Sequence, residues 1–249
     1  YQTVYNILSF ALASMLATTV FLLAVQGRVL PRYRQALVVS AMVCLIAAYH
    51  YYRIFDSFRH SYVAVDEGSA ATAMNAMSYM LVNGEGFNEG YRYVDWLLTV
   101  PLLLFEAIAV LALPRAVRKS LLMKLIPASA LMIILGYPGE IAVDTAPKAI
   151  WGALSTIPFL YILYILFVEL TKATKTQPGQ VGKDVNGLRW LLLATWGVYP
   201  ISYMIPMFGI EGADAFVWRQ VGYSVADVLA KCLFCLLYTS DAADDQACV

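Results

Sequence analysis

VGYSVADVLAKCLFCLLY, residues 221–238, decides how the rest of the chain is read. It is apolar at most positions, yet Lys231 stands in its middle and Asp227 lies four residues before it. An ionisable side chain inside a bilayer is expensive, so it is paired, neutralised or put to chemical use. Residues four apart share a helix face, which makes Asp227 the natural partner of Lys231. Snorkelling to the membrane surface is the plainer reading. The polar tail, however, begins only after Tyr238, about 10 Å further along the axis, and the reach is strained. The pair reads as a functional site within a membrane.

The whole chain is 61% hydrophobic and 14% charged, with a formal net charge of zero, as in a protein that crosses the bilayer many times. A neutral chain without a basic stripe interleaved with aromatics excludes a nucleic-acid partner. Cys232 and Cys235 form a C-x-x-C, but with no His or further Cys beside them they read as small apolar residues, not a metal or redox site. No nucleophile–base pair, metal cluster or phosphate loop points to an enzyme. The chain opens inside an apolar run without a methionine, so residues are expected to precede it.

Seven apolar segments have membrane-spanning length. They run about Tyr5–Val25, Ala36–Phe55, Val94–Leu113, Leu121–Tyr137, Ile150–Val168, Leu191–Phe208 and Phe216–Tyr238. Lipid leaves backbone polar groups no outside partner, so each is expected to be a helix. The fold class is therefore an all-α seven-transmembrane-helix bundle. The longest polar connection, residues 57–90, has room for a short hairpin. Residues 1–238 form one domain. The tail TSDAADDQACV, residues 239–249, is expected to be foreign to the fold, because the last segment stops short of a full crossing beyond Lys231.

Basic residues set the orientation. Arg28, Arg32, Arg34, Arg115, Arg118, Lys119, Lys124, Lys172, Lys175, Lys183 and Arg189 fall in alternate loops, against Arg53, Arg59, Lys148 and Arg219 in the others. The positive-inside rule then puts the N-terminus outside and the C-terminus in the cytoplasm.

The third segment holds a second set of ionisable residues in RYVDWLLTVPLLLFE, residues 92–106. At about 100° per residue, Asp95 and Thr99 share a face, and Glu106 returns to within about 20° of Asp95, roughly 16 Å along the axis. Two carboxylates in different surroundings on one stripe suit an acid–base relay. Arg92, one turn before Asp95, supplies a compensating charge. A buried lysine is also suited to Schiff-base chemistry with an aldehyde. Trp96, Trp196, Tyr199, Tyr203 and Tyr223 have spacings compatible with one interior slot, and Pro101, Pro158, Pro200 and Pro206 would bend helices and open space for it.

Taken together, RYVDWLLTVPLLLFE, the W-x-x-Y-P of 196–200, the D-x-x-x-K of 227–231, GYPGE at 136–140 and WGALSTIPFLYILYILFVEL from Trp151 strongly resemble microbial (type 1) rhodopsins. More narrowly, they resemble the proteorhodopsin- and xanthorhodopsin-like light-driven proton pumps. The resemblance implies all-trans retinal joined to Lys231 as a protonated Schiff base. It implies Asp95 as proton acceptor, Glu106 as proton donor, Asp227 as second counterion and Arg92 beside them. Asp95, Thr99 and Glu106 match the triplet of outward proton pumps, whereas chloride and sodium pumps carry other patterns. His50 matches a histidine that pairs with the acceptor.

By position, the same likeness assigns the retinal pocket to Trp96, Val100, Leu103, Met132, Gly136, Ser155, Phe159, Trp196, Tyr199, Pro200, Tyr203, Tyr223 and Ala230. Leu103 implies green absorption. Gly152 implies a side opening that admits a carotenoid antenna, with close helix packing as the plainer reading. The implied setting is a bacterial inner (plasma) membrane and a pentamer or hexamer, moving protons outward as the sixth helix tilts near Pro200. Two rivals remain at this point: a sensory photoreceptor that signals to a partner, and a seven-helix receptor or transporter without a chromophore.

Overall fold

The computed structural model describes residues 1–29, 31–64, 79–81, 86–109, 113–174, 187 and 190–236. Among these, seven helical rods follow one another along the chain. They are α1 (Gln2–Val25), α2 (Pro31–Ser61), α3 (Gly90–Ala109), α4 (Arg115–Ile141), α5 (Thr145–Tyr164), α6 (Trp190–Phe208) and α7 (Gly212–Asp227). Several outrun their apolar segments; α2 alone has 31 residues. Hydropathy marks only the part in lipid, while the helix itself persists into the polar layers at its ends.

Five rods are apolar and long enough to cross a membrane, namely α1, α2, α4, α5 and α6. The other two carry charges: Arg92, Asp95 and Glu106 on α3, and Arg219 and Asp227 on α7, with Lys231 in the turn that continues it. Consecutive rods pack side by side and α7 returns to α1, closing a ring. The outer face is apolar: on α5, Ile150, Leu154, Ile157, Tyr161 and Tyr164 recur every three or four residues and are all exposed. Arg92, Asp95, Glu106, Asp227 and Lys231 face inward, each at most 1% exposed. Apolar outside and charged inside is the distribution a lipid solvent demands.

Between α2 and α3, β1 (Tyr62–Ala64) pairs antiparallel with β2 (Tyr79–Leu81), Val63 opposite Met80, so the long polar connection does hold a hairpin. The tail from residue 239, and Lys175, Lys183 and Arg189, lie outside the described residues.

Prolines and irregular turns interrupt several rods. Pro101 and Pro158 sit inside α3 and α5. Past Tyr164, α5 continues through a π-helical turn, Ile165–Glu169. The end of α6, Ile205–Phe208, tightens to a 3-10 turn containing Pro206 and stops at Gly209, whose φ of 79° a side chain would oppose. Beyond Asp227, α7 runs into a second π turn, Val228–Leu233, with Lys231 inside it. π-helical turns are rare and are frequent at functional sites.

Candidate functional site

Lys231 and Asp227 leave α7 on one face, and α3 brings Asp95 against them. Lys231 Nζ donates to Asp95 Oδ2 at 2.5 Å and to Asp227 Oδ1 at 2.9 Å. Arg92 Nη1 donates to Asp227 Oδ2 at 3.3 Å, completing a quartet of two cations and two carboxylates. Buried charges are tolerable only when paired and hydrogen-bonded in this way.

The two carboxylates differ sharply in their surroundings. Asp227 accepts from five donors: Lys231, Trp96 Nε1 (3.0 Å) and Tyr199 OH (2.8 Å) on Oδ1, and Tyr51 OH (2.7 Å) and Arg92 on Oδ2. Among the described residues, Asp95 accepts through its side chain from Lys231 only, and its buried Oδ1 has no hydrogen-bond partner. One carboxylate is saturated and the other keeps an open oxygen. Thr99, expected beside Asp95, donates to the Asp95 backbone carbonyl at 2.8 Å and so leaves the carboxylate free.

His50 is buried on α2, but it forms no hydrogen bond or ion pair with Asp95; its Nδ1 has no partner among the described residues, and its ring meets Tyr49 edge-on at 5.2 Å. One position further on, 100° round the helix, it is Tyr51 that reaches the charged centre.

Glu106 lies apart from this quartet in an apolar core with Leu103, Leu104 and Ile108. Its Oε1 accepts from Ser40 Oγ, and Oε2 has no partner among the described residues. Ser40 Oγ also stands 3.1 Å from Ala36 O. Neither Ser40 nor Tyr51 stood out in the sequence. Their signal is the spacing of Ser40, Cys44, Ala47 and Tyr51, one buried stripe at helical intervals along α2.

A cavity of about 350 Å³ opens from Lys231 between α3, α4, α5, α6 and α7. All the expected pocket residues line it except Ala230, which is buried in the apolar core with Trp196 and Phe234. Ala230 precedes Lys231 and is turned about 100° from it. Tyr93, Ile133, Met204 and Met207 also line the cavity and were not expected. At Gly136 an added Cβ would come within 3.3 Å of Tyr93 Cε1, so the glycine makes room for that ring. At Gly152 it would come within 2.8 Å of Tyr203 Cε1. Exposed Ala149, Ala153 and Thr156 also belong to the lining, so the cavity reaches the outer face between α5 and α6. The lining is mostly apolar and aromatic, with the Lys231 amine in the wall and its carboxylate partners behind it, a set that fits an apolar group ending in an aldehyde.

Fold and site define a seven-helix membrane protein with a buried, ion-paired lysine. A family profile described as "Bacteriorhodopsin-like protein" matches residues 2–244. The chain belongs to this family, the microbial (type 1) rhodopsins. It is 30% identical over 236 residues to the green-light absorbing proteorhodopsin of Gamma-proteobacterium EBAC31A08, covering 94% of this chain and 84% of that protein. The crystal structure of xanthorhodopsin, described as a light-driven ion pump with dual chromophore, superposes with a TM-score of 0.85 at 45% identity, over 98% of this chain and 94% of that one. A thermophilic rhodopsin gives 0.87 at 43% identity, over the same shares.

Proposed function

We propose that this chain is a light-driven outward proton pump carrying all-trans retinal on Lys231. The observation that carries the reading is Lys231 Nζ at the cavity wall, 2.5 Å from a carboxylate that keeps one oxygen open. Joined to that nitrogen as a protonated Schiff base, retinal would supply visible-light absorption and a light-triggered change of shape. Trp96, Trp196, Tyr199 and Phe159 would hold it along its length.

Asp95 is the proton acceptor, because its Oδ2 touches Nζ and its Oδ1 is unengaged, whereas Asp227 already faces five donors. Asp227 and Arg92 stay in place as the fixed charges of the centre. Glu106 returns a proton from the opposite side. Glu106 is buried among apolar side chains with Ser40 Oγ as its hydrogen-bond donor, a setting in which an uncompensated carboxylate charge is costly. That supports Glu106 as a stored proton. The outward direction rests on the positive-inside distribution of basic residues.

The opening beside Gly152 supports a carotenoid antenna, and Leu103, buried in the cavity wall, supports green absorption. In this reading the protein lies in a bacterial plasma membrane as a pentamer or hexamer, the last on family resemblance alone.

Two measurements test it. Borohydride under illumination should fix retinal covalently to the peptide containing Lys231. Cells supplied with retinal should acidify their medium in light, and a protonophore should abolish the change. Failure to form a visible pigment would end the proposal.

A further inference from the structure

The GYPGE motif at 136–140 ends in a carboxylate that the pump mechanism leaves without a task. Glu140 is 4% exposed and lies one turn beyond Gly136 on α4. Its Oε2 accepts from Tyr93 OH at 3.2 Å and from Tyr223 OH at 3.0 Å. Its Oε1 is paired with Arg219 of α7, which also reaches Glu89 Oε1 at 3.3 Å. Lys148 Nζ donates to the Glu140 backbone carbonyl at 3.2 Å.

Both tyrosines line the cavity, and both pack against Trp96, with ring centroids 5.0 Å and 5.1 Å away. Trp96 in turn donates to Asp227. A route of direct contacts therefore runs from Glu140 through two phenols and an indole to the charged centre. The glycine–glutamate spacing explains itself: Gly136 gives the Tyr93 ring its space, and four residues later Glu140 takes the ring's hydroxyl.

Resting on the retinal reading above, we propose that Glu140 is a positioning residue of the chromophore cavity, its carboxylate orienting Tyr93 and Tyr223 and, through them, Trp96. A carboxylate suits this role because one oxygen accepts from both phenols while its charge pairs with Arg219. A carboxamide has one accepting oxygen and brings a donor of its own, so at least one of those groups loses its partner.

The visible spectrum of the purified, retinal-loaded full chain tests this, since a role confined to helix packing would not move it. Glu140→Gln should displace the absorption maximum. Combined with Tyr93→Phe or Tyr223→Phe, it should give less than the sum of the single displacements, because the variants break the same bonds. An unchanged maximum in Glu140→Gln, or strictly additive displacements, overturns the proposal. Should Glu140→Gln fail to fold, the tyrosine variants decide, each removing one hydroxyl: a displaced maximum in either supports the role, and unchanged maxima in both overturn it. A wild-type chain that forms no pigment is a different failure and counts against retinal binding itself.

Discussion

Replacing Asp95 by Asn keeps the shape of the side chain and removes the group that takes the proton. In the wild type, Lys231 and Arg92 face Asp95 and Asp227, two positive charges against two negative. The variant leaves two cations on one carboxylate in a site at most 1% exposed. Removing one member of a buried pair costs about 3–5 kcal/mol. At about 1.36 kcal/mol per tenfold, that is roughly two to four powers of ten in the equilibrium that keeps the positive charge on Nζ. Asp227 cannot stand in, since five donors already use its oxygens. The expected result is a pigment shifted to longer wavelength, because the ground-state charge has lost a counter-charge, with no light-driven proton export. The assay is the pH of an unbuffered suspension of retinal-loaded cells under illumination, with and without protonophore. Protonophore-sensitive acidification by the Asn variant would refute the assignment of Asp95 as acceptor.

Four other variants probe the remaining parts. Ser40→Ala deprives Glu106 of its side-chain partner, a loss of about 1–3 kcal/mol, and should prolong recovery of the dark absorption after a flash by roughly 5- to 150-fold; Glu106→Gln should slow the same phase. In Gly152→Phe the ring must displace Tyr203 and block the opening between α5 and α6, so retinal should still bind while excitation through an added carotenoid disappears from the action spectrum. Tyr203→Phe loses the 2.6 Å bond to the Lys148 carbonyl, worth about 0.5–1.5 kcal/mol, and thermal denaturation should fall by a few degrees, at about 2–4 °C per kcal/mol.

The seven crossings and the two ionisable stripes were legible because each is a property of a single helix. Apolar length marks a segment in lipid, and the 3.6-residue period places Asp227 beside Lys231 and Glu106 in line with Asp95. Partners on other helices were not legible. Ser40 meets Glu106 across 66 residues of sequence and Tyr51 meets Asp227 across 176, contacts that depend on how each rod is rotated about its own axis. That rotation brings Tyr51 to Asp227 and places Ala230 in the apolar core. The π turn around Lys231 likewise has no mark in the local sequence. Spacing along one chain says which side chains share a face. Only the packing of the rods decides which faces meet, and here that packing leaves one carboxylate saturated and the other open.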